Sequence, residues 1–171
     1  VCFAAGLAKS GLRPVVAIYS TFLQRAYDQI IEEVCLQNLP VVFCLDRAGI
    51  VGQDGVTHQG IFDISYLKNI PNLVVMAPKD TQELEEMLSF AFNLNAPSAI
   101  RYPKDRSLKK ADSVSEIKLG KAEVVKEGSD IAILVLGTQI SSCLEAAEEL
   151  AKEKISCKLI NMRFAKPLDE A

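Results

Sequence analysis

Short apolar segments alternate with amphipathic segments along most of the chain. Six nearly continuous apolar runs predict β-strands at residues 15–19, 41–45, 73–77, 98–102, 131–136 and 157–162. Runs of this kind, without polar alternation, are typical of strands buried on both faces of a parallel sheet. Between them, apolar residues recur at helical spacing, as at Leu84, Met87 and Ala91, and Asp80 with Glu83 forms a capping box that opens this helix. The repetition of strand and helix predicts a doubly wound α/β fold with a parallel sheet.

A polar, weakly periodic segment divides the chain. Residues 1–103 are predicted to form a first α/β domain, and residues 104–117 have the composition of a linker. Residues 118–171 are expected to open a second α/β domain with two or three strands, too few for an independent sheet. Because residues 3–8 read as the tail of a helix and the second domain stops early, we expect a fragment truncated at both ends.

Composition narrows the classes of protein that the sequence can specify. The 171 residues are 49% hydrophobic and 24% charged, with a net charge of −3. These values exclude wholesale disorder and a basic footprint for nucleic acid, and no apolar run is long enough to span a membrane. The five cysteines have no CxxC spacing and there is one histidine. We therefore expect a cytoplasmic protein without disulfides and without a metal site built from these residues.

Candidate chemistry lies just beyond the carboxyl ends of the predicted strands, where open α/β sheets bind ligands. Residues 48–60 form a long glycine-rich loop that holds His58 and leads into a predicted helix at 61–67. Such a segment allows close backbone approach to a ligand and favours anions at the helix start. Arg101 ends an apolar strand, where an arginine needs a partner or a ligand. The residues alone indicate an anion-friendly, partly cationic site, and an ordinary surface loop with a solvated histidine remains the alternative.

Two long motifs carry a family resemblance. Residues 19–29, YSTFLQRAYDQ, and residues 46–60, DRAGIVGQDGVTHQG, resemble the 1-deoxy-D-xylulose-5-phosphate synthase family of the transketolase superfamily. Residues 62–71 and 162–169 carry the same resemblance, which extends over essentially the whole chain. It implies a transketolase-type pyrimidine-binding domain followed by the start of a C-terminal domain.

The resemblance implies an activity that composition and spacing do not reach. Members of this family condense pyruvate with D-glyceraldehyde 3-phosphate and release carbon dioxide, using thiamine diphosphate and magnesium. Their product feeds isoprenoid, thiamine and pyridoxal biosynthesis. A homodimer is expected for such an enzyme, and the charge and cysteine content described above predict a cytoplasmic protein with no nucleic-acid or membrane partner.

The family's roles transfer to residues that match its motifs. Phe22 is expected to stack on the aminopyrimidine ring of the cofactor, with Arg25 beside it. Asp54 and His58 are expected to be catalytic, contacting the acceptor sugar and handling protons around the enamine and its alkoxide.

The substrate-binding residues implied by the resemblance are all at strand ends. Tyr19, Arg47, Arg101 and Lys104 are expected on the side that binds the acceptor and its phosphate. The family motif reads Arg-Tyr-Pro-Arg-Gly, whereas this chain has Lys104 and Asp105 at its last two positions. Lys104 is therefore expected to bind phosphate less geometrically than arginine.

Two expected elements of the family's site fall outside this sequence. The glutamate that protonates the cofactor's ring nitrogen and the segment that binds magnesium and diphosphate belong to preceding parts of the family's chain, so the fragment itself is expected to be inactive. Two alternatives remain: another transketolase-type enzyme, such as a pyruvate dehydrogenase E1 β-like subunit, and a non-catalytic α/β module for dimerisation or binding.

Overall fold

The computed structural model describes residues 1–104 and 115–170, and it confirms the predicted α/β class. The strands are β1 (Val15–Tyr19), β2 (Val42–Asp46), β3 (Val74–Met76), β4 (Ser98–Arg101), β5 (Glu123–Lys126), β6 (Ile131–Val135), β7 (Cys157–Asn161) and β8 (Phe164–Lys166). The α-helices are α1 (Cys2–Lys9), α2 (Ser20–Leu23), α3 (Tyr27–Gln29), α4 (Asp63–Leu67), α5 (Thr81–Leu94) and α6 (Ile140–Lys152). Short 3-10 turns lie at Gln24–Ala26 and Val56–His58, and a π-helical turn lies at Ile30–Cys35.

The strands form two sheets. The first has the order β1-β2-β4-β3-β8, in which the first four strands are parallel and β8 pairs antiparallel with β3. The second has the order β5-β7-β6, with β6 and β7 parallel and β5 antiparallel to β7. All six apolar runs contain a strand, whereas β5 and β8 were not predicted. Each sheet is therefore mixed at one edge.

Apolar side chains cover both faces of the first sheet. One core cluster packs β2 against the helices around residues 20–35 and includes Leu23, Ile30 and Phe43. The other packs the sheet against α5 and includes Met87 and Phe164. This two-sided burial is the physical reason for the uninterrupted apolar runs in the sequence. In the part of the chain that the structure describes, no helix is long and apolar enough to cross a membrane.

The predicted second domain contributes a strand to the first sheet. Residues 105–114 of the predicted linker lie outside the described residues. Beyond them the chain builds the second sheet and then returns, so that Lys166 pairs with Val75 and Phe164 with Met76. β8 follows the predicted linker in the chain and is nevertheless part of the first sheet.

A buried ionic network joins the two sheets. Glu83 in α5 is fully buried, and its Oε1 accepts a hydrogen bond from Arg163 Nε at 2.8 Å. The Nδ2 of Asn161 donates to both Glu83 oxygens at 2.9 and 3.1 Å, and the backbone nitrogen of Lys79 donates to Oε2 at 2.7 Å. Lys79 Nζ also pairs with Glu123. Burial acts to raise the pKa of Glu123, but the hydrogen bond from Lys79 and the charge of Arg163 outweigh it, so this pKa lies below its ordinary value.

Among the described residues, only one of the two hydrogen bonds of the predicted capping box forms. Asp80 is the N-cap of α5, and its side chain accepts from the Glu83 backbone nitrogen at 2.8 Å, as predicted. The Glu83 carboxylate, however, faces the second sheet and bonds residues about eighty positions away. The charge of Arg163, 2% exposed, needs such a partner because an unpaired buried guanidinium is costly.

Candidate active site

The carboxyl ends of three parallel strands bring most of the predicted site residues together. Register aligns Tyr19 at the end of β1 with Asp46 at the end of β2, and Leu45 with Arg101 at the end of β4. Arg47 follows β2 directly and has a positive φ of 54°. Because parallel strands end at the same edge of a sheet, these side chains share one surface.

An aromatic and cationic stack occupies this edge. The Arg47 guanidinium carbon lies 3.8 Å from the centroid of the Tyr19 ring, within the range of a cation–π contact. Tyr19 stacks on Phe22 with ring centroids 5.1 Å apart and an interplanar angle of 7°. The His58 ring meets Phe22 edge-on at 5.2 Å. Phe22 is 44% exposed, so it is not the buried core aromatic that a helix start would otherwise indicate.

The turn that carries His58 is fastened to the helix that carries Phe22. His58 ends the 3-10 turn Val56–His58, and its Nδ1 lies 2.9 Å from Thr57 Oγ1. Thr21 Oγ1 donates to the Thr57 carbonyl at 3.2 Å. When the Thr57 hydroxyl donates to Nδ1, the neutral imidazole carries its proton on Nε2.

The long loop is closed by its own hydrogen bonds. Gly49 and Gly60 exchange backbone hydrogen bonds of 2.7 and 2.9 Å across its base. The Gln59 amide accepts from the Val51 nitrogen at 2.6 Å and donates to two loop carbonyls at 2.8 and 2.7 Å. At Gly60, an added Cβ would lie 2.2 Å from the Arg47 carbonyl oxygen, so only glycine fits. Gln59 was not among the predicted site residues, although it directly follows His58 in the sequence.

Carboxylates neutralise two of the predicted cations. Arg47 Nε donates to Asp54 Oδ2 at 2.7 Å, and its Nη1 donates to Asp46 at 2.8 and 2.7 Å. Lys104 Nζ donates to the other Asp54 oxygen at 2.6 Å. The hydrogen bond from Lys104, followed by that from Arg47, lowers the pKa of Asp54. The hydrogen bonds to Asp46 and Asp54 raise the pKa of Arg47. The site is therefore a set of ion pairs rather than the partly cationic surface that the sequence indicated.

Arg101 has a separate partner. Its Nε donates to Asp63 Oδ2 at 2.8 Å, and Asp63 Oδ1 accepts from the Ile64 backbone nitrogen at 2.8 Å. Asp63 is only 2% exposed at the start of α4, which begins two residues later than predicted. Asp63 is thus the partner that the strand-end position of Arg101 predicted, although Asp63 itself was not among the predicted site residues. The sequence feature that could have indicated this partner is the position of Asp63, an acidic residue soon after the glycine-rich loop.

Arg25 stands apart from this group. It is exposed in the 3-10 turn Gln24–Ala26, one turn beyond Phe22. Among the described residues it makes neither an ion pair nor a hydrogen bond, so the simple surface pair with Asp28 that its spacing allows is not formed.

A cleft opens between loops of the two sheets. Its volume is about 410 Å³, and loops that follow β2, β3, β4 and β6 line it. The lining residues are Ala48, Gly49, Ile50, Pro78, Arg101, Pro103, Lys104, Leu136, Gly137, Thr138 and Gln139. This volume lies within the ordinary range for small-molecule sites.

The described side chains fit one part of a thiamine cofactor. The exposed, pre-oriented ring of Phe22 is suited to stacking on a flat heterocycle. Within residues 1–104 and 115–170, no group of three or more His, Cys, Asp or Glu side chains could hold a metal ion. The described residues therefore offer a place for an aromatic ring.

Comparison with known proteins assigns the class. Residues 1–108 match the pyrimidine-binding domain of transketolase, and residues 120–171 match the transketolase C-terminal domain. The first match covers more than half of the chain. The chain therefore belongs to the transketolase pyrimidine-binding domain family.

Within this class, the chain is similar to 1-deoxy-D-xylulose-5-phosphate synthases. It is 56% identical to that of Natranaerobius thermophilus, over all of this chain and 27% of the relative. It is 57% identical to that of Dictyoglomus thermophilum, over 99% of this chain and 28% of the relative. The chain thus spans about a quarter of the length of these curated relatives. These similarities confirm the resemblance predicted from the motifs.

Solved structures agree on the fold. A split-gene transketolase, described as an inactive beta4 tetramer, superposes with a TM-score of 0.89 at 29% identity, covering 98% of this chain and 55% of that chain. Transketolase from Campylobacter jejuni superposes with a TM-score of 0.84 at 26% identity, covering 94% of this chain and 26% of that one.

Proposed function

We propose that this chain is part of a 1-deoxy-D-xylulose-5-phosphate synthase, a thiamine-diphosphate-dependent transferase that condenses pyruvate with D-glyceraldehyde 3-phosphate. The observation that carries the proposal is the identity of 54–57% over nearly the whole chain with synthases of this name. Residues 1–103 would be the pyrimidine-binding domain, 104–117 the linker and 118–171 the start of the C-terminal domain.

Thiamine diphosphate, when bound, supplies a nucleophilic carbon and an electron sink for decarboxylation. Phe22 would stack on its aminopyrimidine ring, because that ring face is the exposed aromatic surface at the helix start. Arg25, one turn further, would lie beside the cofactor. Magnesium and the diphosphate would be held by another part of the complete protein.

His58 and Asp54 would act on the acceptor. His58 would exchange a proton at Nε2 with the acceptor's oxygen, since Thr57 engages Nδ1. Asp54, held ionised between Lys104 and Arg47, would accept hydrogen bonds from the acceptor's hydroxyl groups. Tyr19, Arg47, Arg101 and Lys104 would form the acceptor side.

The pathway and assembly belong to the same proposal. A synthase of this kind would be a cytoplasmic homodimer whose product feeds isoprenoid, thiamine and pyridoxal biosynthesis. Its substrates would be pyruvate and D-glyceraldehyde 3-phosphate, without a nucleic-acid or membrane partner.

Product analysis with the complete protein tests the proposal. With thiamine diphosphate and magnesium supplied, we expect carbon dioxide release from pyruvate that depends on D-glyceraldehyde 3-phosphate and yields 1-deoxy-D-xylulose 5-phosphate. Transfer of a two-carbon ketol unit from a ketose to an aldose would instead favour another transketolase-type enzyme, and transfer of an acetyl group to lipoamide would favour an E1 β-like subunit.

The isolated 171 residues are expected to be inactive under the same conditions. The motivation is that the family resemblance places the ring-nitrogen glutamate and the magnesium–diphosphate segment in preceding parts of the family's chain, and that this chain spans about a quarter of its relatives. Carbon dioxide release by the isolated chain would contradict this part of the proposal. If the complete protein shows no activity with any of these substrates, the chain is a non-catalytic module.

A further inference from the structure

Within residues 1–104 and 115–170, Arg101 is the one cation of the proposed acceptor side whose terminal nitrogens make no hydrogen bond. Its Nε donates to Asp63 at 2.8 Å, and within the described part of the chain neither Nη1 nor Nη2 makes a hydrogen bond. The residue also lines the cleft of about 410 Å³. Nη1 and Nη2 form the fork of two parallel donors that suits a phosphate or carboxylate.

The other two cations are differently placed. Arg47 uses Nε on Asp54 and Nη1 on Asp46, and its guanidinium lies over the Tyr19 ring. Lys104 donates to Asp54 at 2.6 Å. A phosphate would have to compete with those carboxylates for either residue, whereas binding at Arg101 leaves its existing ion pair intact.

The Asp63 carboxylate is built to hold Arg101 in one orientation. Its side chain is almost fully buried, and each oxygen has its own donor, the Ile64 backbone nitrogen for Oδ1 and Arg101 Nε for Oδ2. A carboxylate with both oxygens fixed cannot rotate without losing a bond. The guanidinium plane bonded to it is fixed as well.

We propose that Asp63 is a positioning residue that pre-orients Arg101, so that Arg101 rather than Lys104 provides the directional contact to the acceptor's phosphate. The inference rests on the proposed function and deepens it. Asp63 itself does not touch the substrate. It fixes the direction of the two terminal nitrogens, which lowers the ordering cost of binding a dianion.

Asp63→Asn is the variant that tests this idea. Asparagine keeps the size of aspartate but replaces one acceptor oxygen by an NH₂ donor. Because both Asp63 oxygens accept hydrogen bonds, the amide must lose either Ile64 or Arg101. In the complete enzyme we expect the KM for D-glyceraldehyde 3-phosphate to rise about 10-fold, the loss of one charge-assisted bond. The KM values for pyruvate and for unphosphorylated D-glyceraldehyde should change less than about twofold.

Glu83→Gln is a matched control elsewhere in the fold. Glu83 accepts from Arg163 Nε at the same distance of 2.8 Å and is also fully buried. This variant should lower the melting temperature yet leave the ratio of the two acceptor KM values unchanged. If Asp63→Asn behaves like Glu83→Gln, or raises both acceptor KM values equally, Asp63 is merely structural and the inference is wrong.

Inorganic phosphate separates this inference from the proposed function. If the wild-type enzyme forms no product, the function fails, but calorimetric titration of the same protein with phosphate still tests the residue. We expect the Kd for phosphate to rise about 10-fold in Asp63→Asn and to stay unchanged in Glu83→Gln. Equal phosphate affinity in wild type and Asp63→Asn, or no binding by the wild type, would overturn the inference.

Discussion

Removing the Glu83 carboxylate should cost a large part of the stability of the chain. In Glu83→Ala, the Asn161 amide and the Lys79 backbone nitrogen each lose a buried acceptor, and Arg163 loses its 2.8 Å partner. Arg163 keeps a second carboxylate, Glu123, at 3.3 Å. Removing one partner of a buried ion pair costs about 3–5 kcal/mol, and the residual pairing favours the lower half of that range.

Thermal and urea unfolding of the wild type and the variant measure this loss. Domains have about 5–15 kcal/mol of stability in total, so the loss is a substantial fraction. At roughly 2–4 °C per kcal/mol for a chain of this size, a loss of about 3–4 kcal/mol should lower the melting temperature by about 6–16 °C. The backbone cap from Asp80 to the Glu83 nitrogen remains in Glu83→Ala, so the effect reports the carboxylate and not the start of α5.

Two further variants make the argument refutable. Glu149 pairs with Lys152 at 2.5 Å on an exposed helix face, and Glu149→Ala should change stability by less than about 0.5 kcal/mol. Replacing both Glu83 and Arg163 by Met removes both charges together, and the loss should be smaller than the sum of the single losses. The proposed role of the ionic network between the two sheets is wrong if Glu83→Ala loses no more stability than Glu149→Ala. It is also wrong if the stability loss of the double variant equals the sum of the two single losses.

Three further predictions concern the site. In the complete enzyme, His58→Ala should lower kcat by about 10²–10⁴-fold and leave the cofactor affinity nearly unchanged. Steady-state kinetics and cofactor titration measure the two quantities. A variant with wild-type kcat would show that His58 is a solvated loop residue without a catalytic role. Gly60→Ala should lower the melting temperature, because its Cβ would meet the Arg47 carbonyl at 2.2 Å, and an unaltered transition would contradict the close approach. Lys104→Met should raise the pKa of Asp54 towards its ordinary value, which NMR titration of the carboxyl carbon measures. Because the pKa of Asp54 is lower in the folded than in the unfolded state, ionised Asp54 stabilises the fold at pH values above its unfolded-state pKa. This contribution is lost as the pH falls through the folded-state pKa. Lys104→Met should therefore lose less stability on acidification than the wild type.

Buried parallel strands were predictable because burial on both faces leaves an uninterrupted apolar signal in the sequence. Neither β5 nor β8 has that signal. Glu123 and Lys126 bound β5 with polar side chains, and Val124 is exposed. β8 has only three residues and is defined by pairing with β3, which is distant in sequence. Local patterns do not encode such a partner.

The site residues also fall into those that local sequence patterns could place and those that depend on tertiary contacts. Tyr19, Arg47 and Arg101 could be placed at one edge because strand ends can be read from the sequence. Their carboxylate partners could not, since Asp63 reaches Arg101 across 38 positions. The Asp80 cap was predictable because it closes within a single turn. Charge pairing across the fold depends on tertiary contacts that no local motif contains.

The return of β8 to β3 has a consequence for synthesis of the protein. Val75 pairs with Lys166, roughly ninety residues later in the chain. At translation rates of about 5–20 residues per second, the β3 edge waits roughly 5–20 s for its neighbour. During that interval, an apolar strand of Val74, Val75 and Met76 has unpaired backbone groups, the arrangement most prone to pairing with another chain. Yield of soluble protein in cells should therefore depend on chaperone supply and growth temperature more than on the stability of the finished fold.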